Sequence, residues 1–166
     1  MKSLKSYIQE KLIINKDYVD VNISTPKSFD ELRKIIEDRY NKLGAGTKQN
    51  PIDFNDIDAS NLDSFCNDNE NKGIFAKTKF KYIDISDWDV SNVKSTDSMF
   101  YNCVVLKSVG DVSNWDVSNV TNMYNMFYCC KNFDCDLSNW NVSKVRYRTG
   151  IFDGCPIKNE YKPKFK

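Results

Sequence analysis

Between residues 84 and 155 apolar and polar positions recur in a fixed order. DISDWDVSNV, DVSNWDVSNV and DLSNWNVSKV superimpose with Trp88, Trp115 and Trp140 in one column, at steps of 27 and then 25 residues. Val90, Val117 and Val142 keep that register, as do Val93, Val120 and Val145, then Phe100, Phe127 and Phe152, and finally Cys103, Cys130 and Cys155. Upstream, DFNDIDASNL fits the same frame with Ile57 at the Trp position, Ala59 and Leu62 at the valines and Ile74-Phe75 at the Met-Phe position, lengthened by an insertion around Cys66 to Lys72. A first unit that departs from its neighbours reads as a capping copy, because the terminal units of repeat arrays meet solvent on one side.

Two periods alternate within a unit. The Trp-x-Val alternation has period two and predicts a strand of three or four residues. From Val120, the apolar Met123, Phe127 and Cys130 fall at i+3, i+7 and i+10 and predict a short helix with one apolar face. Ser91-Asn92 and Ser118-Asn119 suit a turn or helix N-cap between the halves. About four strand-turn-helix units would then stack as a right-handed α/β solenoid, the usual hand of parallel crossovers. Ahead of the array, KSFDELRKIIEDRYNKLGAG carries its own helix signals: a Ser28/Glu31 capping box, Gly44 or Gly46 to close the C-terminus, and an apolar face of Leu32, Ile35, Ile36, Tyr40 and Leu43. With the alternating strand Tyr18 to Ile23 before it, this segment predicts a cap over the open end of the array.

Composition narrows the chemistry. The chain has 166 residues, with 24 Lys plus Arg against 23 Asp plus Glu, and a net charge of +1 gives no electrostatic case for nucleic acid or an anionic membrane. Histidine is absent, which removes His-based acid-base chemistry, Ser-His and Cys-His nucleophiles and the commonest metal ligand. No run approaches 18 apolar residues, so no membrane span is expected, and Gln9, Glu10 and Lys11 stand where a signal peptide needs its apolar region. The six cysteines are therefore read as mostly reduced. Cys103, Cys130 and Cys155 share one repeat position and read as a core column. Cys129, Cys130 and Cys135 cluster without His or paired C-x₂-C knuckles, so zinc is disfavoured, while a regulatory disulfide from Cys129 or Cys135 stays open. Asp87, Asn114 and Asn139, and Asp89, Asp116 and Asn141, flank each Trp without the glycine-rich nonapeptide of calcium-binding β-solenoids, and read as solvated or hydrogen-bonded ladders. The same periodicity argues against a paired-carboxylate glycosidase. No catalytic residue, metal site or cofactor is expected.

The string WDVSNVTNMYNMFYCCKNFDCDLSNWNVS resembles the BspA-like leucine-rich repeats, the 26-residue repeat of bacterial surface proteins. The likeness covers about residues 52 to 155, through D-[IVL]-S-[DN]-W-[DN]-V-S-[NK]-V followed by M-F-x-x-C, of which the last copy keeps Phe-x-x-Cys. It implies a leucine-rich-repeat-like solenoid with adhesive or interaction roles, usually in exported proteins. The opening MKSLKSYIQE resembles the capsid-targeting peptide of internal head proteins in T-even-type phages, with Met1, Lys2, Tyr7, Ile8 and Glu10 matching. That resemblance implies processing after Glu10. The other reading of the segment is an amphipathic helix with Leu4, Tyr7, Ile8 and Leu12 on one face.

The expected fold class is thus α/β: a short leucine-rich-repeat-like solenoid of strand-turn-helix repeats with an N-terminal strand plus helix cap. Its parts would be a peptide or short helix at 1–14, a cap at 15–50, the array at 51–155 and a basic tail at 156–166. The expected function is a non-enzymatic protein-interaction module, phage-encoded and virion-associated or head-packaged, lying in the cytoplasm or virion. A surface adhesin-like protein and an intracellular inhibitor of a host enzyme are the alternatives. Tyr101, Tyr124, Tyr128 and Tyr147 are the candidate contact residues, since tyrosine buries a large area at low entropic cost. Covering the edge of the core is their other reading.

Overall fold

The computed structural model describes residues 24–67 and 72–165. The decapeptide with Glu10, its helical alternative and the alternating strand before Ser24 lie outside those residues. The first element is helix α1, Phe29–Leu43. Ser28 is its extended N-cap, with Oγ accepting from the Glu31 N–H at 3.2 Å, while Glu31 Oε2 accepts from the Lys27 N–H at 2.7 Å. Gly44 closes it at φ 76°, its N–H bonded to the Tyr40 carbonyl. Leu32 and Ile36 are fully buried, and Ile35 and Tyr40 pack partly covered. Leu43, expected on the same face, is instead exposed.

The expected α/β solenoid of strand-turn-helix repeats is overturned. Among the described residues α1 is the one α-helix, and it precedes the repeats. The regular strands are four dipeptides: β1 (Ile52–Asp53) pairs in parallel with β4 (Ile83–Asp84), and β2 (Cys66–Asn67) antiparallel with β3 (Lys72–Gly73). The Trp-x-Val segments are turns as well, for Trp115 bonds back to Val112 and Val120 to Val117.

The hydrogen bonds explain why no helix forms at 94–103 or 121–130. A helix sends each N–H to the carbonyl four residues back. Here the donors alternate. Met99, Tyr101 and Cys103 donate three residues back, to Thr96, Ser98 and Phe100, whereas Ser98, Phe100 and Asn102 donate to Tyr124, Met126 and Tyr128 of the next copy, at 2.8, 2.9 and 2.7 Å. Asn125, Phe127 and Cys129 donate likewise to Thr149, Ile151 and Asp153. Left-handed residues set this alternation. Ser98 (φ 54°) and Asn102 (56°), Asn125 (53°) and Cys129 (57°), and Gly150 and Gly154 (both 70°) occupy matching positions four apart, and a right-handed helix tolerates none of them.

Successive copies lie on one another as layers. Isolated parallel bridges run Ser64 to Ser95 to Asn122 to Tyr147. Inside, Phe75, Phe100, Phe127 and Phe152 stack nearly parallel at centroid separations of 5.4, 5.2 and 5.8 Å. Trp115 stacks on Trp140 at 6.2 Å, and all three tryptophans are buried. The first layer has no copy above it, and α1 fills that place. Tyr40 meets Phe80 edge-on at 5.0 Å, Arg39 pairs with Asp56 at 2.6 Å, and the Arg33 guanidinium donates to the carbonyls of Ile74 at 2.6 Å and of Gly73 and Ala76. Ile74 and Ala76 correspond to Met99 and Tyr101, whose carbonyls accept from Phe75 and Lys77 of the layer before. One side chain therefore supplies the donors a missing layer would have given.

Candidate binding surface

The turn ribbon places each candidate tyrosine by its repeat position. Tyr101 and Tyr128 follow the core phenylalanines and are half-buried, whereas Met99 and Met126, which precede them, are fully buried. The two tyrosine rings stack at 5.2 Å and 10° from parallel on the outside of the layers. In the repeat register Ala76 holds this position in the layer before, next to Lys77, whose N–H donates to the Tyr101 carbonyl, and Asp153 holds it in the last layer. Cys129, through its charge and a side-chain hydrogen bond, and then Tyr101, raise the Tyr128 phenol above its ordinary pKa. Tyr124 and Tyr147 are the exposed large aromatic side chains among the described residues, at 43% and 65%. Tyr147 ends the bridge column in the last layer, while Tyr124 stands one column away. The four thus resolve into one stacked pair and two separate exposed rings.

Cys103 and Cys130 sit in the core, and Cys155 packs half-buried against it. Cys103 Sγ donates to the Phe75 carbonyl at 2.9 Å and Cys130 Sγ to the Phe100 carbonyl at 3.0 Å, each tying its layer to the one before. Burial pushes the Cys103 thiol up to about 11 and raises Cys130 and Cys155 as well. Protonated thiols of this kind are neither nucleophiles nor good metal ligands. The acidic positions also have local work. Asp84, Asp89, Asp111 and Asp116 each accept from the backbone N–H of the serine two residues on, at 3.0 to 3.1 Å, and Asp136 and Asn141 do the same. These Asx-turns hold the corners of every layer. Asn92 and Asn119 reach back to the Ser60 and Ser91 carbonyls at 3.1 and 2.8 Å, linking the corners of adjacent layers.

A cleft of about 380 Å³ lies between α1 and the turn at 77–80, lined by Arg33, Glu37, Tyr40, Lys77 and Phe80 among others. Its guanidinium is committed to Glu37 at 2.7 Å and to the first-layer carbonyls. No helix of the described residues is long and apolar enough to cross a membrane.

A family described as "Mycoplasma protein of unknown function, DUF285" matches residues 54–164, which is 111 of the 166 positions. The chain belongs to this DUF285 family. No curated protein and no solved structure matches it. The DUF285 match begins at Phe54, the carbonyl of which accepts the buried Trp88 indole N–H at 2.9 Å, and ends in the tail after Pro163. The family segment therefore coincides with the layered part of the molecule, and α1 precedes it. Two features had weaker signals in the sequence. The role of Arg33 is hidden because an arginine among helix charges looks solvated, and the Gly150/Gly154 pair reveals its meaning only when set against Ser98/Asn102 and Asn125/Cys129.

Proposed function

We propose that the protein is a non-enzymatic protein-interaction module, of the kind the BspA-like surface-protein repeats provide, with the tyrosine-bearing side of its layers as the contact surface. The stacked Tyr101–Tyr128 pair carries this reading. Two large rings held parallel at 5.2 Å by the layer spacing form a rigid, amphipathic platform, and such rings bury area on a partner with little ordering cost. Exposed Tyr124 and Tyr147 extend the aromatic content of the same repeated segment. The residues that recur most faithfully, Trp, Val, Phe and Cys, are occupied in the core, which leaves recognition to positions that differ between copies.

The test is quantitative capture from the natural source with wild-type protein and a Tyr101→Ala/Tyr128→Ala variant, read by mass spectrometry. A partner retained by the wild type and lost from a variant of unchanged melting profile supports the surface. Identical partner sets would refute it. The likeness of MKSLKSYIQE to a capsid-targeting peptide adds the proposal that the protein is packaged in a phage head. Protein recovered from virions should then begin at Lys11, and an intact Met1 there would overturn processing after Glu10.

A further inference from the structure

The two ends of the layered body are finished differently. At the first layer, Arg33 caps the carbonyls that face outward. At the last layer the outward groups are N–H donors, those of Gly150, Phe152 and Gly154. They match Ser98, Phe100 and Asn102 and then Asn125, Phe127 and Cys129, every one of which donates to the following layer. Among the described residues nothing accepts from the three in the last layer. The tail does cross this end, where the Leu137 N–H donates to the Tyr161 carbonyl at 2.8 Å and Lys162 lies over the Phe152 ring at 5.9 Å, yet no carbonyl of the described tail residues reaches the 150–154 row. Gly154 is exposed and the other two are half-buried.

Charge is specialised at the same end. Residues 141–165 hold six Lys or Arg against Asp153 and Glu160, a net +4; with +1 for the whole chain, the remainder carries −3. Part of this comes from the repeat frame itself. Arg146 and Arg148 stand where the preceding layer has Thr121 and the buried Met123. Arg148 packs over Phe165 at 5.6 Å, Arg146 is exposed, and Lys144, also exposed, reaches back to Asn119 Oδ1 of the preceding layer at 2.8 Å.

We infer that this last layer is a docking edge for an acidic polypeptide segment of a partner, whose carbonyls take the N–H groups of Gly150, Phe152 and Gly154 and whose carboxylates meet the exposed Arg146 within the net positive charge of this end. Main-chain addition of this kind gives affinity through backbone hydrogen bonds and selectivity through the flanking side chains. A second copy of the chain does not fit. Two last layers facing each other would oppose donor to donor and cation to cation, and the acceptor edge of the first layer is already taken by Arg33 and α1. The inference rests on the reading of the protein as a binding module but uses a surface other than the Tyr101–Tyr128 pair.

The experiment uses the full chain, isotope-labelled, with a fluorescent Glu-Val repeat peptide of about ten residues as the probe. Amide hydrogen exchange should be fast at Gly150, Phe152 and Gly154 in the free protein and slow by at least about tenfold at saturating peptide. Charge reversal in Arg146→Glu/Arg148→Glu should weaken binding at least about tenfold, with Tyr101→Ala/Tyr128→Ala binding as the wild type does. Peptide binding that leaves those three amides unprotected would reduce the edge to charge attraction and overturn the inference. So would tighter binding of an oligonucleotide of equal charge. Loss of peptide binding in the tyrosine variant would overturn the separate edge, whereas capture that ignores the tyrosines counts against the tyrosine surface alone.

Discussion

At the scale of single residues, the three aligned tryptophans are chemically alike but not equally satisfied. Trp88 and Trp140 donate their indole N–H to the Phe54 and Val112 carbonyls, both at 2.9 Å, whereas the buried Nε1 of Trp115 has no partner among the described residues. Replacement by Phe removes ring area at all three sites and a buried hydrogen bond at two. Trp88→Phe and Trp140→Phe should therefore cost about 1 kcal/mol more than Trp115→Phe, since a net hydrogen bond is worth about that and an orphaned donor at Trp115 is relieved. Urea unfolding of the three variants measures the difference, and equal losses would contradict it. The Asx-turn aspartates give a pH dependence at the same scale. Hydrogen bonds from Ser113, Ser118 and Ser138 lower the pKa of Asp111, Asp116 and Asp136 in the folded chain. A lowered folded pKa means stability that is present above the unfolded value of about 3.9 and is lost as pH falls through the lower folded one. The melting temperature should hold from neutral pH to about pH 5 and then drop. Ser113→Ala/Ser118→Ala should flatten that drop, and an unaltered acid limb would dismiss these corners as its source.

At the scale of elements, the sequence revealed the period and the core columns but not the local conformation. Val120, Met123, Phe127 and Cys130 recur at spacings a helix would use, yet they are buried in a ribbon of turns whose left-handed residues are Asn125 and Cys129. Apolar spacing reports which side chains are inside; it does not report whether N–H groups bond within the segment or to the next layer. Ser98, Asn102, Asn125 and Cys129 conceal their left-handed backbone, for only the last copy spells the same two positions as Gly150 and Gly154. By contrast α1 was legible from Ser28, Glu31 and Gly44, because caps are local chemistry. The candidate tyrosines were legible as a list and not as an arrangement, since stacking of Tyr101 on Tyr128 depends on the layer spacing. The turn geometry makes a prediction opposite to that of a helix. Cys129→Gly should stabilise by up to about 1 kcal/mol, because a left-handed residue with a Cβ is strained by roughly that amount. In a helix interior the same change would destabilise by about 0.5–1 kcal/mol. The sign of the shift in denaturation midpoint decides between them.

At the scale of the whole molecule, layers that hand hydrogen bonds onward in one direction leave an acceptor edge at one end and a donor edge at the other. Sheet edges of this sort invite uncontrolled pairing unless they are covered. Here the acceptor edge is closed by one guanidinium, whose planar fork reaches the Gly73, Ile74 and Ala76 carbonyls while its Nε holds Glu37 at 2.7 Å. Charge-assisted bonds to neutral acceptors are worth about 1.5–3 kcal/mol each at best, but these share one donor group and the carbonyls of Gly73 and Ala76 are at the long end of the range. Arg33→Met keeps the apolar stem and strands the carbonyls, and should cost about 2–4 kcal/mol. Arg33→Lys offers a compact charge in place of a fork, so it should recover less than half of that loss. Denaturant unfolding of both variants tests the cap, with α1 monitored by far-ultraviolet dichroism. If Arg33 closes the edge, Arg33→Met also frees acceptors that match the donor row of Gly150, Phe152 and Gly154 in another molecule. Sedimentation should then show concentration-dependent, head-to-tail association of Arg33→Met that the wild type lacks, and addition of Arg146→Glu/Arg148→Glu should leave it intact, because it depends on backbone donors. A variant that unfolds at lower denaturant yet stays monomeric at every concentration would mean that α1, and not the guanidinium, is what shields that end.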